Sequence, residues 1–257
     1  MKKIVVAPDS FKGSLTSAEV ADAVERGIKD VFPQCNVVKA GVADGGEGTV
    51  EAIVKAVGGD MYAASVTDPL GRPVKAAYGI VRSGGVKTAV MEMSAASGLP
   101  LLLPDELNPW ITSTYGTGEM ISDALNRGCR KFLVGIGGSA TNDAGTGMLS
   151  ALGVRFLDSS GQRLKGCGRD LESIARIDMS SLMPAARESE FIVACDVNTL
   201  FCGPDGAARV FAPQKGADPQ TAEALDRGMR SFAQVIAGQF QTDIVPLSGA
   251  GAAGGLG

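Results

Sequence analysis

One stretch constrains this chain more than any other: Gly135-Ile136-Gly137-Gly138-Ser139-Ala140-Thr141-Asn142-Asp143-Ala144-Gly145-Thr146-Gly147-Met148. The apolar run Lys131-Phe132-Leu133-Val134 leads into it. Met148-Leu149-Ser150-Ala151-Leu152 leads out and stops at Gly153. The pattern predicts a strand, a glycine-rich turn and a helix. Glycines let a backbone take positive φ and come close to a ligand. The first turn of the following helix brings free N–H groups and a partial positive charge, which suits a phosphate. Ser139, Thr141 and Asn142 add neutral donors, and Asp143 is placed to cap the helix or to help hold a metal. A turn built only for close packing is the competing explanation. Two hydroxyls, an amide and a carboxylate among the glycines are more polarity than packing requires.

The same design recurs upstream. A strand at 3–7 opens into a loop carrying Asp9, Ser10, Lys12 and Ser14, and Thr16-Ser17-Ala18-Glu19 then makes a capping box. Val20, Val24, Ile28 and Val31 follow at helical spacing. Pro33 ends that helix and Val37–Ala40 reads as a second strand. Ala43-Asp44-Gly45-Gly46-Glu47-Gly48-Thr49 then precedes a helix with Val50, Ile53, Val54 and Val57. Asp44 and Glu47 would bind a metal or orient a hydroxylated substrate, or else only stabilise the helix start.

From residue 60 the pattern changes. Residues 61–66, 74–82 and 86–91 read as adjacent strands with turns at Asp68-Pro69-Leu70-Gly71 and Ser83-Gly84-Gly85, which sets a domain boundary near 60. A short helix within 91–98, a loop over 100–109, a helix over 112–127 and a strand at 154–157 follow. Phe191–Cys195 is expected to be a buried strand that delivers Asp196 at its carboxyl end, with Cys195 in the core and Asn198 nearby. Pro213-Gln214-Lys215-Gly216 places a lysine in a tight turn. Asp218-Pro219 starts a helix whose Leu225, Met229, Phe232 and Ile236 form a core face. At the C-terminus Gly249, Gly251 and Gly254 satisfy G-x-G-x-x-G. A lone match of this kind is weak support for a dinucleotide-dependent oxidoreductase.

Composition narrows the chemistry. No histidine occurs among the 257 residues, so histidine triads, histidine-ligated zinc and a histidine base are all absent. Acid–base work falls to Asp, Glu, Lys, Tyr or Cys, and any metal is expected to be a hard ion such as Mg2+. The net charge of -4 comes without a basic run, which argues against nucleic acid or an anionic membrane surface as partner. Five cysteines with no C-x-x-C pair, and an N-terminal apolar run cut short by Pro8 and Asp9, lead us to expect a cytoplasmic protein.

Six segments together resemble the bacterial-type glycerate kinase family. They are Ala7–Ser14, Ala43–Thr49, Gly135–Asp143, Ala194–Asn198, Pro213–Gly216 and Gly249–Gly255, in that order. One departure is Asn198-Thr199, where many members have proline after the asparagine. The resemblance implies ATP-dependent phosphorylation of D-glycerate, usually at the 2-hydroxyl, in a cleft between two α/β domains. It implies a Rossmann-like parallel-sheet domain begun by residues 1–60, and an inserted α/β domain with some antiparallel strands over 61–244. The first domain would resume at 245–257 and be completed beyond Gly257. Phosphoryl transfer needs positioning and charge neutralisation above all, and no Walker A sequence occurs. The 137–146 turn, with Gly137, Gly138, Ser139, Thr141 and Asn142, is therefore expected to hold the phosphates of ATP, and Ser10, Asp44, Gly45 and Asn198 are further candidates for binding substrate or nucleotide. Lys12 and Lys215 would neutralise the phosphates or hold the glycerate carboxylate, Asp44, Glu47 or Asp143 would bind Mg2+, and Asp196 would act as base. A non-catalytic phosphate-binding module is the other open reading.

Overall fold

The computed structural model describes residues 3–8, 11, 14–40 and 48–257. Five predicted site residues, Ser10, Lys12, Asp44, Gly45 and Glu47, lie outside them.

Strand β1 (Lys3–Val6), helix α1 (Ser17–Val31) and strand β2 (Asn36–Lys39) form a parallel β-α-β unit. The expected capping box starts α1: the Glu19 N–H donates to Thr16 Oγ1 at 3.3 Å, and the Thr16 N–H donates to Glu19 Oε2 at 2.8 Å. Val20 is buried, but Val24 and Val31 on the same predicted face stay exposed. Helix α2 (Thr49–Val57) was grouped with this unit by sequence. It packs instead on the larger sheet, where Val50, Ile53 and Val54 meet Val81, Val90 and Leu133.

That larger sheet is built from β3 (Gly59–Thr67), β4 (Pro73–Ser83), β5 (Val86–Glu92) and β6 (Lys131–Gly135). A separate antiparallel pair, β7 (Arg155–Leu157) with β8 (Arg176–Asp178), precedes the sheet's last strand, β9 (Glu190–Ala194). The order is β3-β4-β5-β6-β9; β3, β4 and β5 run antiparallel, whereas β5, β6 and β9 are mutually parallel. The α/β class with some antiparallel strands is therefore the class observed. A parallel connection needs a crossover. Between β5 and β6 it is made by α3 (Ser94–Ser97) and α4 (Tyr115–Asn126), and between β6 and β9 by α5 (Thr146–Ala151), the β7–β8 pair and α6 (Pro184–Arg187).

Two cores follow. Tyr78, Met91, Met93, Met120, Ile121 and Phe132 fill the space between the sheet, α3 and α4. Phe156, Leu171, Phe201, Leu225, Met229 and Phe232 fill a second core around α7 (Ala207–Phe211) and the long helix α8 (Pro219–Phe240). Helix α8 starts as its sequence predicts, with Asp218 Oδ1 accepting the Thr221 N–H at 2.7 Å. Among the described residues no helix is long and apolar enough to cross a membrane.

The burial expected of strand β9 also fails. Strand β9 is the last strand of its sheet, so Phe191, Ile192 and Val193 are 41%, 52% and 42% exposed rather than buried. An apolar run states that a strand exists, but burial depends on which neighbours the fold supplies.

The C-terminal glycines serve packing. The Gly251 N–H donates to Thr199 O, and Gly254 O accepts the Ala144 N–H at 3.0 Å. Gly254 has φ of 76°, and a Cβ there would lie 2.3 Å from Thr141 O. This accounts for the G-x-G-x-x-G pattern without a dinucleotide. We expect Gly254→Ala to destabilise the chain by about 1–3 kcal/mol through overpacking and strain. A lower urea midpoint with unchanged m-value would register it, and an unchanged midpoint would refute the contact.

Candidate active site

The carboxyl ends of the parallel strands β5, β6 and β9 converge, and open α/β sheets bind ligands at such ends. They deliver Glu92, then Ile136–Ser139, then Cys195 and Asp196. These residues line a cavity of about 800 Å3. The 3-10 turn Leu99–Leu101 closes one side. Gln214 and Lys215 of the 3-10 turn Pro213–Lys215, together with Ala252 and Ala253, close the other.

Lys215 is the central charge. It is 1% exposed, and its Nζ donates to Ser139 Oγ at 2.7 Å and to Thr141 O at 2.6 Å. Neither acceptor is a carboxylate. Burial pushes its pKa down to about 7, and the nearby Asp143 offsets only part of that shift. A buried ammonium whose partners are neutral is a strong reason for an anion to enter the cavity.

The glycine-rich turn divides into two functional halves. Its first half faces the cavity: Gly137 and Gly138 are exposed, and Gly138 takes φ of 71°. Among the described residues the N–H groups of Gly137, Gly138 and Ser139 have no acceptor. Successive free amides around a positive-φ residue form an anion-binding concavity. The second half is closed to ligand, contrary to the expectation that the helix end faces phosphate. Asp143 is completely buried; its Oδ1 accepts the Gly145 N–H, and its Oδ2 accepts the N–H of Gly147, the N–H of Thr114 and Thr114 Oγ1–H. Thr114 Oγ1 in turn accepts the Met148 N–H at 2.8 Å. The chain's own carboxylate and hydroxyl thus take the donors of the helix start. Burial raises the pKa of Asp143, while its hydrogen bonds favour the ionised form.

Of the two roles expected for Asp143, the cap is the one this geometry fills. Its carboxylate is enclosed by backbone and does not line the cavity, so it does not fit a metal arriving there. The Thr141 and Asn142 side chains also turn inward and are fully buried, with Asn142 Nδ2 donating to Met229 Sδ. Among the described residues no group of three acidic, cysteine or histidine side chains is arranged to hold a metal. Asp196 is exposed and lines the cavity, whereas Asn198 lies outside it and accepts Ser248 Oγ–H at 3.3 Å. Cys195, expected in the core, is an exposed cavity residue.

Sequence reasoning missed Glu92 and Ser94. Glu92 was legible: a carboxylate ending an apolar strand is the signal that singled out Asp196. The polar run Ser113–Gly118 reads in sequence as a turn that faces phosphate or nucleotide, or else as packing; in the structure its Thr114 meets Asp143 across 29 residues of chain.

Similarity to known proteins gives the family. A family model described as the glycerate kinase family matches residues 4–257. The chain belongs to that family. A glycerate kinase of Haemophilus influenzae is 49% identical over 99% of this chain and 67% of its own length. A glycerate 2-kinase of Escherichia coli is 46% identical over 99% of this chain and 66% of its own length. A crystal structure of a Salmonella typhimurium protein assigned as glycerate kinase 2 superposes with a TM-score of 0.86 at 46% identity, covering all of this chain and 68% of that one. The chain thus spans about two thirds of the length of these glycerate kinase relatives.

The lysine makes a prediction about stability. Between about pH 7 and the ordinary lysine value, the unfolded chain holds a proton that folded Lys215 lacks, so stability should rise with pH across that window. Below it both states are protonated, and the cost of burying the ammonium is greatest. Lys215→Met removes this dependence. Its stability relative to the wild type, measured by urea unfolding, should therefore be most favourable near the acid end of the window and fall as pH rises. A difference that stays constant with pH would show that the buried lysine titrates normally.

Proposed function

We propose that this cavity is the phosphoryl-transfer site of an ATP-dependent D-glycerate kinase that yields ADP and 2-phosphoglycerate. One observation carries the proposal: a buried lysine beside the unpaired amides of Gly137, Gly138 and Ser139, in a cavity that Asp196 also lines. The 2-hydroxyl assignment follows the name of the Escherichia coli relative. A cavity of about 800 Å3 has room for a nucleotide and a three-carbon acid.

The roles follow from charge. The transferred group spreads negative charge over its equatorial oxygens. Lys215 and the three amides neutralise that charge with donors already in place, so little reorganisation is needed during transfer. Asp196 takes the proton of the attacking hydroxyl, whose oxygen forms the new bond to phosphorus as the bond to ADP breaks. The Leu99–Leu101 wall is apolar and limits water on that side. Mg2+ is expected to arrive on the ATP phosphates and to take few protein ligands. Asp196 and Glu92 are the described carboxylates that line the cavity, and Glu92 Oε1 already accepts the Val50 N–H at 2.9 Å. Asp44 and Glu47 lie outside the described residues.

A second reading is phosphate or nucleotide binding without turnover. It rests on the amides of Gly137, Gly138 and Ser139 beside Lys215, which would hold an anion whether or not transfer follows. An ADP-release assay with D-glycerate separates the two, and phosphorus NMR of the product reports which hydroxyl is modified. Asp196→Asn should lower kcat by about 10²–10⁴-fold, the usual contribution of a general base, with ATP affinity by calorimetry nearly unchanged. A wild-type rate in that variant would place the base elsewhere. ATP binding with no ADP release from the unaltered chain would decide for the second reading.

A further inference from the structure

The turn Asp68-Pro69-Leu70-Gly71-Arg72 between β3 and β4 is tied down more heavily than a hairpin requires. Asp68 is 6% exposed, and its Oδ1 accepts the N–H groups of Leu70 and Arg72, each at 2.9 Å. Its Oδ2 accepts Arg72 Nε–H at 2.6 Å, which orients the guanidinium. The rest of the guanidinium crosses to another segment. Nη1 donates to Glu106 Oε1 at 2.5 Å, and Nη2 donates to Glu106 Oε2 at 3.2 Å and to Leu101 O at 3.3 Å.

Those contacts lead to the cavity. Leu101 belongs to the 3-10 turn that forms its apolar wall, and Glu106 Oε2 also accepts the Leu103 N–H, holding the wall's far end. At its near end the Leu99 N–H donates to Gly138 O at 2.9 Å. The amides of Gly138 and Ser139 are the ones left free for an anion. On its other side the same hairpin turn reaches Ser113, whose N–H donates to Pro69 O at 3.0 Å. Ser113 directly precedes Thr114, the residue that binds Asp143.

We propose that Arg72 is a positioning residue for phosphoryl transfer, fixing the Leu99–Leu101 wall and, through Leu99, the Gly138–Ser139 amides. This rests on the cavity being the kinase site. Arg72 is about half exposed (48%), and ion pairs of that exposure add little to global stability. A bridge joining two loops around one guanidinium is therefore better explained by what it holds in place. Arginine suits the task because its planar fork serves Asp68, Glu106 and Leu101 at once, which a lysine ammonium cannot do.

The test compares Arg72→Ala and Arg72→Lys with the wild type in two independent measurements. Hydrogen exchange of the amides of Leu99 and Leu102, bonded to Gly138 O and Leu99 O, should quicken about tenfold in Arg72→Ala while Tm stays within a few degrees. The KM for ATP or D-glycerate should rise about tenfold with kcat within about threefold, and Arg72→Lys should recover little of either effect. Binding of ADP by calorimetry is measured alongside and should weaken in parallel. Unchanged exchange at Leu99 and Leu102, or looser exchange with KM and ADP affinity both unaltered, would overturn the proposal. A fall in Tm large enough to account for the kinetic loss would do the same. If the unaltered chain shows no turnover, the kinase reading fails separately, and exchange with ADP affinity still decides the role of Arg72.

Discussion

The site depends on one buried ammonium. Lys215 sits in the short turn Pro213–Lys215 between α7 and α8, and its proton donors go to a hydroxyl and a carbonyl of the glycine-rich turn. That arrangement links the end of β6 to the segment before α8 and leaves a positive charge without a carboxylate bound to it. The cost of placing a cation there is met only in part by its neutral acceptors and by the more distant Asp143. A phosphate or carboxylate placed there would supply what is missing, so the interaction that organises the turn also suits the cavity to an anion.

Asp143 is the second half of that economy. A carboxylate buried among N–H and O–H donors would be expensive without them, and here the donors are those that the start of α5 leaves over. Thr114 extends the arrangement to α4. As a result the helix end is closed by the protein itself, and Gly137 and Gly138 are the exposed residues of the turn. The donors that face the cavity are therefore loop amides beside a lysine rather than a helix terminus.

Around this centre the walls come from segments distant in the chain. The parallel strands bring Glu92, the turn and Asp196 to one end of the sheet, and the C-terminal glycines let Ala252 and Ala253 pack against the turn's underside. The Leu99–Leu101 wall is held from outside by Arg72 and from inside by Gly138. Each contact is modest. Together they remove the freedom that a glycine-rich loop would otherwise keep.

Local chemistry was enough for much of this. The capping box at Thr16, the Asp218 cap and the apolar face of α8 are short-range patterns that hold in any context, and the sequence announced them. The strand–turn–helix around Gly138 and the carboxylate ending β9 were legible for the same reason, and six ordered motifs carried the family resemblance. Tertiary structure decided what local pattern cannot encode. It left β9 exposed on its sheet, moved α2 onto the larger sheet, turned Thr141 and Asn142 inward, and gave Asp143 to Thr114 instead of to a ligand. Each of these outcomes depends on which partner lies across space, and a side chain's burial or free valence exists only once that partner is in place.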